Sequence, residues 1–593
     1  MSSFRLTTFA LCIGVAASSA AAFDATFEIS GDDKDTKRAI RAASALAIAD
    51  NDDVTRPDEI IAAAQADYRN IVGSLYREGY YGPSVSIRVD GREAADMSLI
   101  SLPASVGNVV ITVDPGPRFR FGKTIVAPLA PNTVLPTEFA AGAIARAPVV
   151  GEAKDAAVSG WRAVSYAKAR LADQSIVADH PNKELDVALA IDPGPEVRFG
   201  KLSFSGDTGV RENHLRRMAN LPEGKAFDPD ALLRVSRRLQ RTGTFRSVTV
   251  REAETLNPDD TLDITVLLEE AEPRRFGFGA EVSSLEGGAV TAYWMHRNIT
   301  NRADRLRFDA SISGIGGNTG VDYRLATTYR RPATPTRKTT LVLGIEVAQT
   351  EDPTYFEKSG QFTVGAEVET DAFSNFEFAI GYRYSEVQDD LGTRRFRHVI
   401  FPIEGYRDER DDSLDATSGY YYAAEITPFI GVDGSASGTR VHADGRTYFS
   451  FGTDDRFTLA GRLQLGAIFG AEGADVPPEM LFFSGGGGTV RGQPYKSLGV
   501  DLGGGIEIGG TGFIGLSTEL RAGISEKIEV VGFYDIGGIG PDLPGENAEW
   551  HSGAGLGLRY DTGFGPIRLD VAAPVSGDTG SGVQFYIGIG QAF

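Results

Sequence analysis

The chain closes on Val583-Gln-Phe-Tyr-Ile-Gly-Ile-Gly-Gln-Ala-Phe593, in which Phe585, Ile587, Ile589 and Phe593 share one face. A two-residue period is the period of a strand, because successive side chains point to opposite sides of a sheet. A terminal aromatic closing such a strand is the usual mark of an outer-membrane barrel. The same texture runs back to Pro273. Phe376, Phe378, Ile380, Tyr382 and Tyr384 alternate with Glu377, Ala379, Gly381, Arg383 and Ser385. Leu341, Leu343, Ile345 and Val347 alternate with Val342, Gly344 and Glu346. Apolar-out, polar-in alternation suits a closed transmembrane barrel, whose backbone groups are all paired within lipid. At about ten residues per strand plus turns, residues 273–593 suit roughly 14 to 18 strands. The first, from about Phe276 to Val282, is expected to close against Val583–Phe593.

Upstream of the barrel one junction recurs. It reads Asp114-Pro-Gly-Pro-Arg-Phe-Arg-Phe-Gly122, then Asp192-Pro-Gly-Pro-Glu-Val-Arg-Phe-Gly200, then Glu270-Ala-Glu-Pro-Arg-Arg-Phe-Gly277. Pro117, Pro195 and Pro273 are 78 residues apart, and a fixed period of this size means repeated modules. Each unit reads β-α-α-β-β, placing modules at 23–116, 117–194 and 195–272. The third opens with a strand at Arg198–Ser205. Its helix follows Asp228 and ends at Gly243, and strands at Ser247–Glu252 and Thr261–Glu269 complete it. In the second, Ala169 stands where the helix-ending glycine is expected. A small mixed sheet offers an edge that accepts an extended client by strand addition.

At 593 residues the chain exceeds one ordinary core. Residues 1–22 read as a secretory leader, with Arg5, an apolar run from Phe9 to Ala17, and a cleavage site at Ala20-Ala21-Ala22. The single cysteine, Cys12, lies inside it, which leaves the mature chain without disulfides or thiolate metal sites. No later stretch is long and apolar enough for a helical span. The net charge of −21 argues against nucleic acid as a partner, because phosphate binding needs a basic surface.

One segment within the barrel stands apart: Ser484-Gly-Gly-Gly-Gly-Thr-Val-Arg491-Gly-Gln-Pro-Tyr-Lys-Ser-Leu-Gly499. The stretches on both sides read as membrane strands. A guanidinium there stays charged and must meet a carboxylate or water, so Arg491 is a functional candidate with a partner to be named.

With a leader, repeated modules and a barrel carrying Val490-Arg491-Gly492, the mature chain resembles the POTRA-plus-barrel superfamily of BamA, TamA and FhaC. The resemblance implies three POTRA-like α+β modules followed by an all-β barrel. It also implies a long loop entering the barrel from outside, whose VRG-aromatic tip sets its arginine on acidic inner-wall residues. Val490, Arg491 and Gly492 match, Gln493 replaces the usual aromatic, and Tyr495 is the candidate substitute. The expected partners of Arg491 are Asp535, in the family-like Gly532-Phe-Tyr-Asp-Ile-Gly537, and Glu519, in Gly515-Leu-Ser-Thr-Glu-Leu-Arg521. Arg559 and Asp570 rank below them.

Three modules and the terminal Phe-Tyr-Ile-Gly-Ile-Gly-Gln-Ala-Phe resemble the TamA branch. That implies 16 strands in the outer membrane of a Gram-negative bacterium, with the modules in the periplasm. It implies an inner-membrane-anchored TamB-like partner, contact with outer-membrane lipid, and unfolded outer-membrane clients such as autotransporters. The alternative is an FhaC-type two-partner secretion pore. The expected mechanism is a lateral seam between Phe276 and Phe278 on the first strand and Phe585, Ile587, Gly588, Gly590 and Phe593 on the last. Interior glycines weaken that last strand.

Catalytic chemistry is not expected. Gly510-Thr-Gly512-Phe-Ile-Gly515 matches a dinucleotide motif by letter, but lacks the β-α-β context that motif needs. Asp32-Asp-Lys-Asp35 reads as a helix start and Arg407-Asp-Glu-Arg-Asp-Asp412 as a strand turn. The histidines show no zinc-ligand spacing, and no nucleophile elbow is present. No cofactor and no metal are expected.

Overall fold

A computed structural model describes residues 23–593 apart from 32, 53, 284–286, 318, 319, 353, 372, 526, 543–546 and 564. The expected leader, 1–22, lies outside the described residues. The chain forms two compact units. One comprises the described residues up to Lys201 with Pro222–Ala231 and Glu254–Asp263; the other comprises Leu202–Leu221, Leu232–Ala253 and the described residues from Ile264 to Phe593.

The N-terminal part holds three small sheets. The first, in the order β1-β4-β2-β3, joins β1 (Asp24–Ile29), β2 (Ser84–Val89), β3 (Arg92–Glu93) and β4 (Asn108–Asp114). Helices α1 (Lys34–Ala43), α2 (Ala45–Asn51) and α3 (Pro57–Arg77) lie between β1 and β2. Asp33 caps α1 by accepting from the Asp35 N–H, which is the role read for that acidic cluster. On α3, Ile60, Ile61, Ala64, Ile71 and Leu75 are buried at helical spacing and share a core with Phe23, Ile87, Val109 and Ile111.

The second sheet, in the order β5-β7-β6, joins β5 (Arg120–Ala127), β6 (Arg170–Asp179) and β7 (Glu184–Asp192), with α4 (Ala147–Ala163) before β6. The expected β-α-α-β-β order is corrected here, because residues 128–146 form turns and no helix. Pro128, Pro131 and Pro136 remove donors a helix would need. The third sheet, in the order β8-β10-β9, joins β8 (Arg198–Ser205), β9 (Phe245–Glu252) and β10 (Thr261–Glu270). Helices α5 (Glu212–Ala219) and α6 (Pro229–Arg241) precede β9.

Two details explain the repeated letters. Asp186 Oδ1 accepts from the Lys123 N–H at 2.7 Å, and Asp263 Oδ1 accepts from the Lys201 N–H at 2.7 Å. A Cβ at Gly122 or Gly200 would overlap these carboxylates, so each Arg-Phe-Gly-Lys needs its glycine. Two residues past α3, α4 and α6 stand Gly79, Ser165 and Gly243, with φ of +89°, +77° and +66°. Ser165, not Ala169, is therefore the second module's counterpart of the helix-ending glycine.

The barrel begins with β11 (Arg274–Ser283), β12 (Gly287–Arg297), β13 (Arg305–Ile315), β14 (Asp322–Arg331), β15 (Thr339–Asp352) and β16 (Tyr355–Glu369). It continues through β17 (Ser374–Asp389), β18 (Gly392–Ile400), β19 (Ile403–Asp408), β20 (Gly419–Gly431), β21 (Gly438–Phe451) and β22 (Phe457–Phe469). A two-stranded ribbon, β23 (Val500–Asp501) with β24 (Glu507–Ile508), interrupts the order. The wall then ends with β25 (Gly512–Ser525), β26 (Ile528–Gly540), β27 (Glu549–Asp561), β28 (Pro566–Ser576) and β29 (Gln584–Ile589).

The ring counts 17 named strands among the described residues. Both β18 and β19 pair with β17 on one side and β20 on the other, so they are one strand broken at Phe401-Pro402. Proline has no N–H to give the ladder. Sixteen positions around the ring result, the number implied by the resemblance. Phe376, Phe378, Ile380 and Tyr382 on β17 face outward and are exposed. Facing inward, Glu377 and the opposite Glu367 share Arg330.

Closure is uneven. Strands β15 and β16 pair over fourteen positions and β11 and β12 over ten. Strands β11 and β29 pair over two, Val282↔Ile587 and Ser283↔Tyr586. The last strand also departs from its expected course. Gly590 has φ +87°, its N–H donates to Pro566 O at 2.7 Å, and the Gln591 N–H donates to Leu414 O at 2.9 Å. This bend carries Phe593 inward, 7% exposed, against Ala416, Tyr448 and Ala460. Phe585, Ile587 and Ile589 remain outward and exposed, so Phe593 does not share their face and Gly590 is the bend itself.

In hydrogen–deuterium exchange on the bilayer-embedded protein, peptides from β11 and β29 should exchange before those from β15 and β16. Equal protection along both pairs would contradict this closure.

Candidate functional site

The segment around Arg491 belongs to a longer connection, residues 470–511, between β22 and β25. The flanking strands therefore begin further out than the sequence suggested. The loop crosses the lumen. On one wall, Glu479 pairs with Arg383, and its N–H donates to Glu357 Oε2 at 3.1 Å. Lys496 Nζ lies 2.9 Å from Asp352 Oδ2 and donates to the Tyr355 hydroxyl at 2.8 Å. Met480, Leu481, Phe482 and Leu498 pack with Phe429, Phe513 and Ile539 of the barrel.

The far wall is built by β25 to β29, whose inward positions the strand period selects. Outward-facing Leu516 and Leu520 put Glu519 and Arg521 inside, and outward-facing Tyr534 puts Phe533 and Asp535 inside. Into this wall comes Arg491, 3% exposed. Its Nε and Nη2 donate to Asp535 Oδ2 and Oδ1 at 2.7 and 3.0 Å, the two-pronged geometry a guanidinium fork favours. Its backbone N–H donates to the same Oδ2 at 3.1 Å. Nη1 donates to Glu519 Oε1 at 2.7 Å and to Asp570 Oδ2 at 3.3 Å. The guanidinium carbon stands 3.6 Å from the Phe533 ring centroid, a cation–π contact.

Both expected partners are thus in place, and Asp570, ranked below them, is a third. Two further buried arginines complete the set. Arg521 Nη2 lies 2.9 Å from Glu519 Oε2, and Arg559 Nη1 lies 2.5 Å from Asp570 Oδ1. Three carboxylates, Glu519, Asp535 and Asp570, thereby meet three guanidiniums, Arg491, Arg521 and Arg559. A fourth guanidinium, Arg568, stands 3.8 Å from Asp570 Oδ2. A buried ion set survives only when its charges are paired and its remaining donors bonded. Arg521 was not singled out in the sequence, although it stands two residues from Glu519 on the same strand, and Phe533 entered only as a neighbour of Asp535.

Small residues make the seat. Gly492 has φ +92°, and a Cβ on it would come within 2.7 Å of the Ala573 backbone. A Cβ at Gly553 would overlap the Arg491 carbonyl, and one at Gly537 would overlap Ser484 Oγ. The tip also grips the last strand. The Gly492 N–H donates to the Tyr586 hydroxyl at 3.1 Å, and Gln584 Nε2 donates to Gly492 O at 3.0 Å.

Gln493 fills the aromatic position and is fully buried. Its Nε2 donates to Ser552 O at 2.8 Å and Ser576 O at 3.0 Å, and its Oε1 accepts from Thr579 at 2.9 Å. Tyr495 does not substitute for the aromatic. It is about a third exposed, with its ring 5.3 Å from Lys496 Nζ. Of the expected seam residues, Phe276 and Phe278 are exposed on β11, and Gly588 lies beside Arg568.

A family model described as the Omp85 superfamily domain matches residues 273–593. A second, described as a surface antigen variable number repeat of POTRA type, matches residues 197–271. The outer membrane protein assembly factor BamA of Neorickettsia risticii (strain Illinois) is 21% identical over 445 residues, 69% of this chain. The chain spans 57% of that relative's length. BamA from Haemophilus ducreyi lacking POTRA domains 1–3 superposes with a TM-score of 0.60 at 18% identity, covering 79% of this chain and 99% of that one. CdiB from Acinetobacter baumannii does so with a TM-score of 0.51 at 12% identity, over 79% and 89%. These two structures share the fold. The chain belongs to the Omp85 superfamily, with its barrel in the outer membrane and its N-terminal modules in the periplasm.

Removing one member of a buried ion pair costs about 3–5 kcal/mol, because it strands the other charge. Arg491→Ala should therefore expose the 484–499 segment to limited proteolysis and lower the thermal midpoint, while the barrel still inserts. Unchanged proteolysis would contradict the seat. Gly492→Ala forces both a left-handed φ and a clash, and should destabilise by roughly 1–3 kcal/mol in chemical denaturation. A neutral result would contradict the close approach to Ala573.

Proposed function

From a member of this superfamily closed in this way, we infer that β-barrel clients enter the outer membrane through the β11–β29 seam, in the manner of the TamA branch. The carrying observation is the two-pair closure. Beyond those pairs, Arg274–Glu281 have no ladder partner on the β29 side among the described residues. An unpaired backbone group costs several kcal/mol in hydrocarbon. An incoming client strand relieves that cost by adding to the edge, and the exposed Phe276 and Phe278 stand where it would lie.

The loop is the control element in this reading. Gly492 holds Tyr586 and Gln584 of β29, and Arg521 donates to Phe593 O at 3.5 Å. A seated tip keeps the last strand drawn inward, and an unseated tip frees it. Clients are unfolded outer-membrane proteins such as autotransporters, received first on module edges. The edge strand β6 is exposed over most of its length, with Ile176 and Val177 turned to solvent. Such an edge also suits strand addition by a TamB-like, inner-membrane-anchored partner.

The test is a lock. Val282→Cys with Ile587→Cys places thiols at directly paired positions, and the sole native cysteine, Cys12, lies in the expected leader. Oxidation should abolish client insertion in cells, and reduction should restore it. Full insertion by the oxidised protein would contradict the seam. A locked barrel that still exports a soluble partner would indicate a secretion pore instead.

A further inference from the structure

The module-proximal end of the barrel carries charge that the loop's ion cluster does not use. Within the second compact unit, a cavity of about 100 Å³ lies between helices α5 and α6 and the bases of β13 to β17. Arg238, Arg241, Arg305, Arg330, Arg337 and Lys338 line it, against one carboxylate, Glu367. This excess sits in a chain whose net charge is −21.

The available acceptors do not cancel that charge. Arg241 Nη2 donates to the Asp371 carbonyl at 2.7 Å and Arg337 Nη1 to Asn220 Oδ1 at 3.3 Å. Both acceptors are neutral. Arg330 takes Glu367 and Glu377. Among the described residues, Arg305 and Lys338 have no carboxylate at ion-pair distance. Arg305 also stands directly opposite Arg330 across the β13–β14 ladder. Like charges directly opposed on a sheet repel, and Glu367 and Glu377 reach Arg330 but not Arg305 at ion-pair distance.

We propose that this cavity is a binding site for a phosphate-type oxyanion, either free or as the headgroup of a membrane lipid. Several features select that chemistry. Guanidiniums offer forked donors that match phosphate oxygens. Thr242, Thr339 and Thr340 also line the space and carry hydroxyls. The volume admits a phosphate group and excludes a folded segment. The β14–β15 hairpin, residues 332–338, closes one side at the rim of the barrel.

The full-length protein in neutral detergent would be examined by native mass spectrometry, once with inorganic phosphate and once with phosphatidylglycerol. One phosphate-bearing ligand should be retained per chain, with at least tenfold weaker affinity in Arg305→Gln/Lys338→Gln. Arg395→Gln, an exposed arginine on β18, should bind as the parent does. Binding of inorganic phosphate identifies a free oxyanion, and retention of lipid alone identifies a headgroup. Folding is checked by heat-modifiable gel mobility. Should the double variant fail that check, Lys338→Gln alone should weaken binding at least threefold. Absence of any retained ligand, or equal retention by a folded variant, would overturn the site.

Discussion

Arg491 between Asp535, Glu519 and Asp570 is the constraint on which the rest of the barrel interior depends. A guanidinium can be buried at membrane depth only where carboxylates meet it. Among the described residues, Asp535 has Arg491 alone, while Glu519 and Asp570 each take a further cation, Arg521 and Arg559. The cluster pairs every one of its carboxylates and is costly to break in any part. The glycines of the tip and of β26 and β27 follow from it, because a Cβ at Gly492, Gly537 or Gly553 would keep the arginine from its seat.

The same cluster reaches the seam. Arg521 extends from Glu519 to the carbonyl of Phe593. Arg559 extends from Asp570 to Gln591, which bridges on to Asp415 and Glu529. The last strand is thus held by its six-pair ladder to β28, and from inside by the loop tip and its own inward bend. Its outer edge keeps two residue pairs with β11. In the proposed mechanism a wall closed this way is firm while the loop is seated and weak at one line when it is not.

The barrel was legible because lipid outside and charge inside impose a two-residue period that short windows display. The candidate site was legible in its centre and not at its edges. Asp535 stood out through its neighbours Phe533 and Gly537, whereas Asp570 depends on how four strands are staggered, which no local pattern encodes. Gln493 finds its partners largely among backbone carbonyls, Ser552 O and Ser576 O, and these leave no mark in sequence. Phe593 looked outward by parity, but parity fails past a left-handed residue, and Gly590 is one. Ser165 was missed because serine rarely takes the backbone shape glycine takes in the neighbouring modules.

The central claim is that the buried Arg491 cluster sets the state of the seam. Spin labels at Phe278→Cys and Ile587→Cys, both on exposed outward positions, report the distance across it in a bilayer. One narrow distance distribution is expected with Arg491 present, and a broader, longer one with Arg491→Ala. Identical distributions in the two proteins would contradict the account.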